Sequence, residues 1–193
     1  MKIILCTLGL GAALAIPVIA LADTTPTSTD KSNAAKECKA LLKAEGTNNF
    51  THAWGAHGKG RAYGKCVSSK AREEARERQA AHANAAKDCK AEQAMTDDDF
   101  KASHDGKTFM EFYGAKNASS AYGKCVSKKA KENKAEADQK DQDVINAARY
   151  CRGQQTSDPA TFDQTYTNFG ACVSKRAHEL NEQWQQSQTQ SSS

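Results

Sequence analysis

Three copies of one short pattern constrain this chain more than any other feature. Tyr63-Gly64-Lys65-Cys66-Val67-Ser68, Tyr122-Gly123-Lys124-Cys125-Val126-Ser127 and Phe169-Gly170-Ala171-Cys172-Val173-Ser174 are variants of one hexapeptide. Each follows a second anchor of the form Asn-Ala-Ala-basic-x-Cys-basic, at 33–39, 84–90 and 146–152. A chain built this way is three related units, and each unit owns two cysteines.

The cysteines set the compartment to expect. Lys2 precedes an apolar run at 3–21 that ends in Ala20-Leu21-Ala22, a small-x-small cleavage pattern, so 1–22 reads as a signal peptide. Cys6 would leave with it, and six of the seven cysteines remain. An even number in an exported chain reads as a disulfide set. No Cys-x-x-Cys pair occurs, which removes zinc-ribbon and thioredoxin readings. No later apolar run approaches the roughly 20 residues needed to span a bilayer. Mean hydropathy is −0.75 even with the leader included, and Ala supplies much of the apolar count. Units of this size have thin cores, and cross-links are the expected remedy.

The expected organisation is a signal peptide at 1–22, a flexible leader at 23–32, units at 33–81, 82–143 and 144–184, and a disordered Gln/Ser tail at 185–193. The first helix should start at Asp30 or Ser32, bury Cys38, Leu41 and Leu42, and stop at Gly46. A second pattern recurs downstream: Phe50 with Trp54, Phe109 with Tyr113, and Phe162 with Tyr166, each four apart and so on one side of a short helix. Thr47, Thr108 and Asp158-Pro159 stand where N-caps and an N1 proline belong, and Gly55 and Gly114 where two of these helices end. From aromatic to second cysteine the spacing is sixteen residues in units one and two but ten in unit three. The third unit has lost a loop.

Between units, 65–95 and 124–152 contain no Gly or Pro and are dominated by strong helix formers. Each predicts a long helix that closes one unit and opens the next. Their middles, 70–79 and 129–140, read as polar all round and solvent-bridging, held by pairs such as Glu74 with Arg78. On such helices Cys66 and Cys89 would lie about 35 Å apart and Cys125 and Cys151 about 39 Å. A disulfide needs Cα atoms within about 7 Å, so those pairs are excluded. The simplest solution gives each unit its own bond: Cys38 with Cys66, Cys89 with Cys125, and Cys151 with Cys172. The fold class is therefore all-α, three disulfide-pinned helical hairpins joined by long shared helices.

Asn-Ala-Ala-Lys-x-Cys-Lys-Ala, Tyr113-Gly114, Asn117-Ala118 and then Tyr-Gly-Lys-Cys-Val-Ser together resemble a repeat of small secreted actinobacterial proteins. The resemblance covers nearly all of 33–180; unit three departs by its missing loop and by Ala171 in place of Lys. It implies an exported bacterial origin and carries no activity and no site residues.

Catalytic constellations are usually assembled once, whereas the distinctive features here come in threes. Ser68, Ser127 and Ser174 recur, but no His or acid recurs with them to make a nucleophile and base. His52, His57, His82, His104 and His178 occupy non-equivalent positions, and only the first two are close enough in sequence to suggest a metal pair. Asp97 to Asp99 lack the spacing of a calcium loop and suit a helix start. We expect no cofactor.

Positive charge does recur: Lys36, Lys87 and Arg149 before the first cysteine, Lys39, Lys90 and Arg152 after it, and Lys70, Lys129 and Arg176 four past the second. Without equally recurrent acids these could line one face for an anionic polymer. Unit one carries a formal charge of about +5, against about −1 for unit two and zero for unit three. The first expectation is an extracellular or cell-envelope binding or structural module without catalysis, its partner a wall polymer or another extracellular protein. The second is a polyanion-binding module, through a cell-wall polymer or nucleic acid. The third is an enzyme whose site is not legible.

Overall fold

The computed structural model describes residues 24–55 and 58–191. The expected signal peptide at 1–22 and His57 lie outside them. Seven helices and no strands occur among the described residues: α1 Ser28–Ala53, α2 Lys59–Gln93, α3 Asp97–Ser103, α4 Phe109–Phe112, α5 Ala118–Ser157, α6 Pro159–Thr165 and α7 Phe169–Ser191. The chain is all-α, and α2 and α5 are the two long helices shared between units.

All three disulfides follow the one-per-unit scheme: Cys38–Cys66, Cys89–Cys125 and Cys151–Cys172, with Cα separations of 5.9, 5.9 and 6.0 Å. All six cysteines are fully buried. Each bond joins consecutive long helices near the start of a hairpin, α1 to α2, α2 to α5, and α5 to α7. Of the three predicted caps, Thr108 and Asp158-Pro159 hold, whereas Thr47 falls inside α1 just past its interruption at Gly46. Thr108 and Glu111 form a capping box on α4, Asp158 accepts from the Thr161 amide with Pro159 at N1 of α6, and Thr96, followed by the Asp97 to Asp99 cluster, caps α3. Asn117 caps α5. The aromatic pairs meet as the spacing requires, in tilted contacts with ring centroids 6.2, 5.0 and 5.2 Å apart, and Phe50, Phe109 and Phe162 are the buried members.

Three further expectations need correction. Helix α1 begins earlier than Asp30, because Thr27 caps it and Asp30, at the third position, returns a bond to the Thr27 amide. Asp30 is buried and paired with Arg78 at 3.1 Å, so part of the supposed leader is structural. At the other end α7 runs on to Ser191, where composition suggests a disordered tail. Gln is a good helix former, and the Ser187 hydroxyl donates to the Trp184 carbonyl instead of opening the turn.

The third correction concerns the long helices. Their middles are not solvent-bridging; they lie against one another, antiparallel, from Lys70 opposite Asp141 to Cys89 opposite Cys125. Ala71, Ala75, Ala81 and Ala85 of α2 and Ala130 of α5 are buried. Those alanines, read as mere helix formers, form a narrow small-residue stripe that lets two helices approach closely. Glu74 and Arg78 do not pair with each other. Glu74 reaches across to Lys134 of α5, and Arg78 back to Asp30 of α1.

Helix α1 also lies beside α5, parallel to it, so the first unit docks on the third and the array is not extended. Asn49 donates to Gln155 at 2.9 Å and Arg152 donates to the Lys43 carbonyl at 3.0 Å. The main core contains Leu41, Phe50, Ala62, Ile145 and Ala148 around the first disulfide, with Phe169 and Val173 packed on it. Gly46 interrupts α1 at φ 78, and a Cβ there would sit 3.0 Å from the Arg152 guanidinium carbon. The backbone at that φ requires glycine; the Arg152 guanidinium, at the end of a flexible side chain, could give way.

Candidate functional site

The repeated hexapeptide is used for construction. Its tyrosines, Tyr63 and Tyr122, donate to the carbonyls of Ala35 and Ala86, equivalent positions in the upstream anchor, at 2.9 and 3.3 Å. Its lysines, Lys65 and Lys124, donate to the carbonyls of Gly55 and Gly114, the residues that end the aromatic helices. Unit three has Phe169 and Ala171 at these places and α6 ends without a glycine, so the shortened loop and the two substitutions are one change. Ser68, Ser127 and Ser174 lie on solvent-facing or partly covered turns just past the disulfides.

The recurring cations do not form a single face. Lys70 contacts Glu37, Glu73 and Asp141 at 2.7, 2.9 and 3.0 Å. Lys129 contacts Glu92 at 2.9 Å, and Arg176 contacts Glu179 at 2.9 Å while lying over the Tyr150 ring. Arg152 is used on the Lys43 carbonyl and Arg149 on the Asn146 side chain. Lys36, Lys39, Lys87 and Lys90 are exposed. The acids whose absence suggested a cationic stripe are present, but on neighbouring helices, where sequence spacing does not display them.

Those acids meet in a charged layer between α1, α2 and α5. Lys134 holds Glu74 and Glu77 at 3.0 and 3.1 Å and also Asp138, just as Lys70 holds its three carboxylates. Burial pushes the Glu37 carboxyl up to about 7 despite Lys70, with Asp141 and Glu73 adding to the rise. Burial raises Glu77 too, against the pull of Lys134. Both lysines are held above the ordinary range: their burial, which opposes it, is outweighed by the surrounding carboxylates. Three carboxylate triads in this layer bring their oxygens within 4.8 Å of one another, a spacing that suits a cation. The lysine ammonium groups already occupy that role, so the layer is a set of internal ion pairs.

A different arrangement occurs at the crossing of the first and third units. The last turns of α1, Val144 of α5 and the start of α7 enclose a cleft of about 520 Å3. Ala53, Val144, Phe169, Val173 and Ala177 make its apolar walls, and Glu45, Asn49, His52, Asn168 and Ser174 its polar lining. Asn168 and Phe169 stand at the point where unit three lacks its loop. Like Glu37, Glu45 has a carboxylate oxygen, Oε2, sealed from solvent without a hydrogen bond, but it differs in having no ion-pair partner: burial alone, with no lysine opposing it, pushes its carboxyl up to about 7. Of these residues sequence reading singled out Phe169, Val173 and Ser174, as part of the hexapeptide, and His52. Nothing in the sequence marks Glu45, whose surroundings come from residues about 100 and 125 positions away.

The remaining histidines are placed separately. His104 stacks on Phe100 with ring centroids 3.7 Å apart, and His178 lies 3.6 Å from Glu182. His82 borders a shallow notch with Arg78 and Lys131. No family model matches this chain, and neither a curated protein nor a solved structure matches it. No helix among the described residues is long and apolar enough to cross a membrane.

Proposed function

We propose that this chain is an exported helical module that works by binding, without catalysis, outside the cell or on its envelope. The observation that carries the reading is a division of labour. Thrice-repeated residues clasp, cap and fill the fold, whereas Glu45 and His52 of the cleft do not recur at the matching distance from the aromatic pair in the other units; Asn168, like Asn117, caps a helix, and Asn49 is tied to Gln155. A cleft with apolar walls and a few converging polar groups is the usual form of a small-ligand site. Three buried disulfides fit an oxidising compartment, as does the signal-like segment at 1–22. The polyanion reading is weaker, because five of its nine cations are engaged within the protein.

Expression of the full chain in a secreting host tests the reading. The product should appear in the medium starting near Asp23, titrate no thiols, and leave generic ester, peptide, phosphate and glycoside substrates unchanged. Turnover that a single side-chain substitution abolishes would refute it, and so would titratable thiols in the exported product.

A further inference from the structure

We propose that the cleft between α1 and α7 binds a small organic ammonium ion with an apolar body, an alkylamine in its simplest form, with Glu45 as counter-ion. The proposal rests on the binding-module reading and names the ligand class for that site.

The chemistry follows from what the cleft has and lacks. A buried carboxylate is acceptor-only, and leaving an oxygen without a donor is costly. Elsewhere this protein sets a lysine against its buried acids, as with Lys70 on Glu37 and Lys134 on Glu74. Glu45 forms no such pair: neither Lys nor Arg lines this cleft, Arg152 in the neighbouring cleft that Glu45 also borders is turned to the Lys43 carbonyl, and His52 on the rim is exposed. Oε2 is sealed from any ligand but Oε1 is not, and the partner that this unpaired carboxylate can take at Oε1 is a cationic N–H donor. The walls facing it, Val144, Phe169 and Val173, offer only hydrocarbon, so the rest of the ligand must be apolar. An anionic ligand would face Glu45 unscreened, and a sugar would leave its hydroxyls against Val and Phe. A volume of about 520 Å3 lies within the usual range for small-ligand sites.

The test is titration of butyl-, hexyl- and octylammonium, with hexanoate and hexanol as controls, into the oxidised full chain, read by calorimetry and by the methyl resonances of Val144 and Val173. Saturable binding that moves those methyls is expected, strengthening about three- to fourfold per added methylene, with hexanoate and hexanol at least tenfold weaker. Glu45→Gln should weaken hexylammonium at least tenfold with helicity and all three disulfides unchanged. Ser174→Trp, at the exposed rim, should do the same by occlusion. Equal binding of hexanoate, shifts scattered over the surface, or an unaltered Glu45→Gln variant would overturn the assignment. Failure here with an exported, thiol-free, non-hydrolytic product removes only the ammonium ligand; turnover or free thiols would remove the module reading itself.

Discussion

At the level of single residues, Lys70 illustrates how much of this protein's chemistry is internal. Its ammonium is 12 % exposed and faces three carboxylates from three helices. Replacing it with a neutral side chain of similar length leaves Glu37, Glu73 and Asp141 repelling one another in a poorly solvated layer. Lys70→Met should therefore cost about 3–5 kcal/mol, the range for breaking one side of a buried pair. Glu37→Gln should behave oppositely near pH 8, being neutral or stabilising, because it removes a carboxylate that burial already disfavours while Lys70 keeps two others. Denaturant midpoints of the two variants check both signs. A Lys70→Met midpoint equal to that of the parent would mean the lysine is merely a surface cation.

At the level of elements, the disulfide scheme was legible because two facts sufficed: the cysteines come in repeat-matched pairs, and a long helix cannot bond to itself across many turns. The caps and aromatic pairs were legible because their partners lie within four residues. The α2 to α5 interface was not, since an alanine stripe flanked by charges has the same composition as a solvated helix. Which it is depends on whether another helix supplies matching charges, here Lys134 for Glu74. Unit two leans on its cross-link, since its own buried core is Phe100, Phe109 and Ala121 around Cys89–Cys125, with Phe112, Tyr113 and Tyr122 only partly buried against it. For a sequence separation of 36 residues, chain entropy puts that bond at about 4 kcal/mol. Cys89→Ser with Cys125→Ser should thus lose hydrogen-exchange protection in α3, α4 and the adjoining ends of α2 and α5. Protection around Ile145 and Phe50 should persist, and an equal loss throughout would contradict locally held units.

At the level of the whole molecule, the three units act as one body because α1 lies on both α2 and α5, and unusual acids sit at those junctions. Glu37 joins α1 to the long helices, Glu77 lies between α2 and α5, and Glu45 faces the third unit. Each has a folded pKa above its unfolded value, about 7 against about 4.5 for Glu37 and Glu45. Between those values the folded state holds protons that the unfolded state has released, so stability falls as pH rises from about 4.5 to about 7 and then levels off. Asp30 and Glu92 act in the other direction. Burial would raise them, but hydrogen bonds from Arg78 and Thr27, and from Lys129 and Tyr113, hold them below the usual range. Their contribution is present at neutral pH and is lost as pH falls through their lowered values. Opposing slopes place maximum stability near pH 5, and the melting temperature should be higher there than at pH 8. Glu37→Gln combined with Glu45→Gln should flatten the alkaline-side decline while leaving the acid-side loss intact. The charged groups near these two acids, Lys70, Glu73 and Asp141 for Glu37 and His52 and Arg152 for Glu45, bear on the comparison, and His52→Gln serves as its control. A melting temperature that climbs steadily from pH 5 to pH 8 would show that the junction acids are ionised and satisfied, which the absence of any donor to Glu45 argues against.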